Sequence, residues 1–109
     1  MPQQCRRRGR GRSKRWVGFI PPITRFQPQG EHTGNRNVTY ITVEEIEALR
    51  LVDFIGLSQE DAAEKMHVSR KTLWSDLQHA RKEIVGALIN GAAIEIIDGN
   101  YVHYNEEGE

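Results

Sequence analysis

Two short amphipathic helices joined by a three-residue turn can be read between Leu57 and Ile84, and no other stretch constrains the fold as tightly. Ser58 can N-cap the first helix, with Asp61 three residues on as a shortened capping-box acid; Gln59, Glu60 and Asp61 suit the positive end of the helix dipole. Ala62 and Ala63 are small enough for two helices to cross closely, and Met66 can fill the irregular gap at the crossing. His67-Val68-Ser69 make the turn: Val68 can bury between the helices and Ser69 can cap the second. His67 stands where such turns usually place a left-handed glycine, a conformation histidine tolerates at some cost. The second helix carries Leu73, Leu77, Ala80, Ile84 and Leu88 at intervals of four, three, four and four residues, a helical apolar stripe.

This is the spacing of a helix-turn-helix, which lays the outer face of its second helix in the major groove of duplex DNA. That face and the first turn carry Arg70, Lys71, Ser75, Gln78 and Lys82, all able to reach phosphates or base edges. A charged helical face alone is usually plain solvated surface. The alanine pair, the turn and the stripe standing in one register favour the helix-turn-helix. Trp74 lies between stripe and outer face; contact with a thymine methyl is open to it, and packing against Trp16, Phe19 or a partner is the favoured reading for so large an aromatic.

The length of 109 residues suits one small domain, not a large enzyme core. The formal net charge of zero hides a strong polarity. Residues 1 to 30 hold Arg6, Arg7, Arg8, Arg10, Arg12, Lys14, Arg15 and Arg25 with no acid, whereas Ala87 to Glu109 hold five acids and no lysine or arginine. A polyanion meets the local field, not the total. One cysteine, Cys5, excludes an intramolecular disulfide and a multi-cysteine metal site, and suits a reducing, cytoplasmic setting. No run nears the roughly 18 apolar residues of a membrane span, and no secretory signal is evident. The four histidines, His32, His67, His79 and His103, lack metal-ligand spacing, and there is no phosphate loop, nucleophile or acid–base motif. Neither a metal, a cofactor nor enzymatic activity is expected.

Residues 1–15, rich in arginine and glycine, are expected to form a disordered basic arm of the kind that enters a minor groove beside a recognition helix; a solubilising tail or an expression artefact are the plainer readings. Residues 16–41 read as short strands, Trp16 to Ile20 and Val38 to Ile41, around a Pro/Gly loop. Thr42-Val43-Glu44-Glu45 fits a capping box opening a helix with Val43, Ile46, Leu49, Val52 and Phe54 or Ile55 toward the core, ending at Gly56. Residues 42–91 are thus the helical domain, with the motif at 57–84. Residues 92–104 alternate about Asp98-Gly99-Asn100 and suggest a β-hairpin, preferably with Ile97 opposite Tyr101 and Glu95 opposite His103; one of the upstream strands would cover it. Residues 105–109 form an acidic tail.

With these segments in place, the chain resembles a family of short prokaryotic proteins of unknown function, domain-of-unknown-function family one-three-four, predicted to bind DNA. The resemblance is carried by Arg25-Phe26-Gln27-Pro28-Gln29-Gly30, by Thr42 to Asp53, by Gly56 to Met66, by Val68 to Leu73, by Ala80-Arg81-Lys82 and by Gly99-Asn100-Tyr101. It implies a mainly α fold, a three-helix unit like region four of sigma factors with a small β-hairpin or sheet. It also implies that Ser69, Arg70, Lys71, Thr72, Trp74, Ser75 and Gln78 lie nearest the groove. The resemblance names no target or effector, and His67, the dense arginine arm and the segment after Val102 depart from the pattern.

The expectation is a cytoplasmic transcriptional regulator that binds double-stranded DNA through the second helix, with Arg6, Arg7, Arg8, Arg10 and Arg12 adding phosphate contacts. A homodimer is expected, since two-fold dimers read palindromic sites, with the apolar strands around Trp16 and Ile94 as interface. The competing readings are a module that docks on RNA polymerase and an RNA-binding protein using the arm alone.

Overall fold

A computed structural model describes residues 14–29 and 37–104. The arm arginines Arg6, Arg7, Arg8, Arg10 and Arg12, the centre of the Pro/Gly loop and the acidic tail lie outside the described residues. In chain order the elements are β1 (Arg15–Val17), β2 (Arg25–Phe26), β3 (Val38–Thr42), α1 (Val43–Leu49), a π-helical turn (Arg50–Ile55), α2 (Gln59–Met66), α3 (Arg70–Asn90), β4 (Ala93–Ile97) and β5 (Tyr101–His103). Helices dominate and small sheets brace them.

Local sequence chemistry starts and stops each helix. At α1 the capping box is complete: Glu45 N–H donates to Thr42 Oγ1 at 3.2 Å and Thr42 N–H to Glu45 Oε1 at 3.0 Å. Ser58 caps α2 by accepting from Asp61 N–H at 3.0 Å, and Ser69 caps α3 by accepting from Thr72 N–H at 3.0 Å. The helices end in left-handed residues at Gly56 (φ 96°), His67 (φ 59°) and Gly91 (φ 66°).

Ala48, Leu51, Ala62, Ala63, Met66, Leu73 and Leu77 close one core between the helices, all essentially inaccessible. A second cluster, Val17, Ile41, Val43, Ala80 and Ile96, packs α1 and α3 onto the strands. Methyl-sized side chains at Ala62 and Ala63 let α2 approach α3 closely. No helix among the described residues is long and apolar enough to cross a membrane.

The structure departs from expectation in four places. First, 93–104 is not a hairpin. β4 is the centre of a three-stranded sheet, parallel to β3 (Val38 opposite Ala93, Thr42 opposite Ile97) and antiparallel to β2 (Arg25 opposite Glu95). With both its edges hydrogen-bonded, β4 cannot receive β5, which pairs instead in parallel with β1 (Arg15 opposite Tyr101, Val17 opposite His103). Glu44 steers this divergence: its carboxylate accepts the Asn100 N–H at 3.0 Å. Both upstream strands are therefore used, on two different partners.

Second, the first helix does not keep its 3.6-residue period to Gly56. Over Arg50–Ile55 it widens into a π-helical turn, closed by Gly56 N–H donating to the Leu51 carbonyl at 3.1 Å. The extra residue rotates Leu51 into the core and turns Phe54 (84% exposed) and Ile55 outward. Third, α3 buries Ala87 while Leu88 is exposed: the two lie about 50° to either side of the stripe, and Ala87 is on the side of Ala80, which faces the strands. Fourth, the expected strand at Trp16 to Ile20 stops at Val17, since the Gly18 N–H turns to the buried Glu47 carboxylate at 3.0 Å. Arg15, assigned to the arm, begins this strand instead.

Candidate nucleic-acid interface

The N-terminal ends of α2 and α3 lie side by side, each bearing unsatisfied backbone N–H groups and a positive dipole end. The two capping hydroxyls are committed: Ser69 Oγ also donates to Thr72 Oγ1 at 3.1 Å. Gln59, Arg70, Lys71 and Trp74 line a cleft of about 380 Å³ between these ends. Trp74, 52% exposed, forms one wall of it. It does not take up the packing expected with Trp16 or Phe19, whose rings meet His67 and Arg50 respectively.

Along α3, Arg70, Lys71, Trp74, Ser75, Gln78 and Lys82 fall within an arc of about 140°, at 100° per residue. Leu73, Leu77 and Ala80 lie on the other side, fully buried, and hold that arc toward solvent. Arg70, Lys71, Ser75 and Lys82 are exposed, and Thr72 and Gln78 half-buried. Six of the sequence-designated residues thus share one face, while Ser69 and Thr72 serve chiefly to start the helix.

Ion pairing divides the cations into two sets. Arg15 is held by Asp76 (3.0 and 3.2 Å), Arg25 by Glu95, Arg50 by Glu47 (2.8 and 2.9 Å) and Arg81 by Asp53 (3.0 and 2.8 Å). Arg70, Lys71 and Lys82 meet no carboxylate among the described residues. The Arg81 pair shifts both partners, chiefly by its hydrogen bonds: the Asp53 carboxyl is held below the usual carboxylate range and the Arg81 guanidinium is raised. His79 is exposed and is engaged by Glu45 at 2.5 Å and by Glu83 at 3.7 Å.

Two contacts fix where the described N-terminal segment sits against α3 and the turn before it. Arg15 spans Asp76 on α3 with both guanidinium hydrogen bonds. Trp16 stacks on His67 in the turn, ring centroids 3.9 Å apart and planes within 2°, and Tyr104 packs tilted against Trp16 at 5.6 Å. Residue 14 is therefore held beside α3 and the α2–α3 turn. Sequence reasoning missed these anchors: Asp76 stands on the side of α3 turned away from the cationic arc, and its partner lies 61 residues away.

A small, mainly helical protein with bracing strands and one exposed, unpaired cationic helix face is the class this geometry defines. The chain belongs to the family of the protein of unknown function DUF134, whose model matches residues 4–104. A UPF0251 protein of Methanosarcina acetivorans is 50% identical over 95 residues, covering 87% of this chain and 85% of the relative. Another from Thermoanaerobacter pseudethanolicus is 44% identical over 93 residues, covering 85% and 79%. Some relatives are longer: the chain spans 54% of the one from Methanocella arvoryzae, at 42% identity over 90 residues. No solved structure gives a significant match.

Proposed function

We propose that the protein binds duplex DNA sequence-specifically through a helix-turn-helix formed by α2 and α3, resembling region four of sigma factors, and acts as a transcriptional regulator. The carrying observation is the division of the cations. Arg15, Arg25, Arg50 and Arg81 are each engaged by a carboxylate, while Arg70, Lys71 and Lys82 meet none among the described residues and share one helix face with Trp74, Ser75 and Gln78. Unpaired cations on a rigid helix can displace the counterions of a phosphate backbone, and the neighbouring amide, hydroxyl and indole offer base-edge contacts.

The cleft of Gln59, Arg70 and Lys71 adds two helix N-termini, a favourable place for a backbone phosphate. Arg6, Arg7, Arg8, Arg10 and Arg12 stand three to nine residues ahead of Arg15, which Asp76 anchors beside α3, and an extended chain of that length reaches roughly 10–30 Å, enough to meet the same nucleic acid. In this reading α3 specifies and the arm adds sequence-independent grip.

Selection from a random duplex library with the full chain tests this. A recurrent motif should be enriched, and the Arg70→Ala/Lys71→Ala variant should fail to enrich it. No motif, or the same motif with the double variant, defeats the reading; retention of single-stranded RNA alone would point to the arm as the only nucleic-acid element.

A further inference from the structure

A wide apolar groove of about 840 Å³ lies away from the cationic face, between β2, β4, the π-helical turn and α3. Ile46, Leu49, Ile84, Ile94 and Ile96 form its floor, and Phe19, Ile23, Phe26 and Phe54 stand around it. These four rim residues are 45, 58, 53 and 84% exposed. One turn past Ile84, the exposed Leu88 continues the surface.

We infer that this groove is the interface through which a second copy of the chain docks. The remaining residues of this chain do not supply a cover: 1–13, 30–36 and 105–109 contain only Met1, Pro2 and Cys5 as apolar side chains. The charges at the rim are already neutralised within the chain, Arg50 by Glu47 and Asp53 by Arg81, so a two-fold pairing brings no unmatched charge together. An isologous interface needs a projection and a recess on one patch, and the Phe54 ring beside the isoleucine floor supplies both.

The area is also sufficient. At roughly 200 Å² per ring, the exposed fractions of the three phenylalanines amount to roughly 350 Å². Ile23 and Leu88 bring this to roughly 600 Å², and the exposed Pro22 with the half-buried floor of Ile46, Leu49, Ile84 and Ile94 carries the patch toward the roughly 800 Å² that each partner of a stable complex buries, above the roughly 300–600 Å² typical of the largest patch on a monomer. Arg70 stands 18 residues, about 27 Å, along α3 from Leu88, and Lys82 lies about 120° round the helix from it, so pairing through the groove leaves the cationic arc of each copy free. That last point rests on the DNA-binding reading; the dimer itself does not. Trp16, named from sequence as part of the interface, is occupied by His67, whereas Ile94 lies in the groove floor.

Sedimentation equilibrium of the full chain at concentrations up to about 100 µM tests the inference. Wild type should sediment at twice its 12.5 kDa mass. Phe54→Glu and Leu88→Glu, both at exposed positions, should each weaken association by at least about 100-fold with unchanged circular dichroism. Arg70→Ala/Lys71→Ala should remain dimeric, which separates this test from that of DNA binding. A monomeric wild type overturns the inference, the more so if it binds a fluorescent apolar dye that Phe54→Glu abolishes, which would make the groove a small-ligand site. A dimer unmoved by both glutamate variants overturns it too.

Discussion

His67 sits under two opposing effects. A left-handed backbone strains any side chain bearing a Cβ, by about 1 kcal/mol, yet the imidazole stacks face to face on Trp16 and regains about 0.5–1.5 kcal/mol. His67→Ala keeps the strain and loses the stack, so it should lower unfolding free energy by about 1 kcal/mol; His67→Gly relieves one while losing the other and should cost less. Urea titration of the pair decides it, and glycine proving worse than alanine would remove the explanation. Gly99 faces a different constraint: a Cβ there would meet the Glu44 carboxyl, 2.6 Å from its Cδ. Gly99→Ala should cost about 1–3 kcal/mol, and little in a Glu44→Ala background. The left-handed turn at His67 is legible in sequence because turn position and residue type are local. The Trp16 ring that occupies His67 lies 51 residues away, beyond any local pattern.

Among the elements, the caps at Thr42, Ser58 and Ser69 and the core alanines could be read directly, since each depends on neighbours within one turn. The π-helical turn could not, because nothing in Arg50 to Ile55 departs from an ordinary apolar helix until Leu51 and Phe54 are seen to exchange faces. The hairpin failed for a related reason: alternation marks β4 and β5 as strands, while their partners are set by which edges are free. The Asp53–Arg81 pair joins the π-helical turn to α3 and gives a pH test. A carboxyl whose folded pKa is depressed stabilises the fold above its unfolded value, about 3.9, and loses that contribution as pH falls through the folded value. Asp53→Asn should therefore melt below wild type at pH 7, with the difference closing below about pH 4. A difference independent of pH would show that the pair's charge contributes nothing. Both side chains are substantially exposed, so the shift in Tm should be small.

At the scale of the whole molecule, a neutral sum conceals a division of labour. The segment from Leu57 to Ile84 carries as many acids as bases, but Asp76 and Glu83 fall on the side of α3 opposite the outer arc and Asp53 takes up Arg81, which leaves that arc with Arg70, Lys71 and Lys82. Helix periodicity, legible in the sequence, keeps acids off this arc; that Arg81 on it is neutralised by Asp53, 28 residues away, is not. If the arm supplies grip, replacing Arg6, Arg7, Arg8, Arg10 and Arg12 with glutamine should flatten the dependence of log affinity on log salt by up to about 4 while keeping the preferred sequence. The most direct measurement is fluorescence anisotropy of full-length protein on the selected duplex and on a scrambled one. Arg70→Ala/Lys71→Ala, folded by circular dichroism, should reduce the ratio of specific to scrambled affinity at least about 10-fold. Wild-type affinity and an unchanged ratio in that variant would contradict the assignment of α3 as the element that reads DNA.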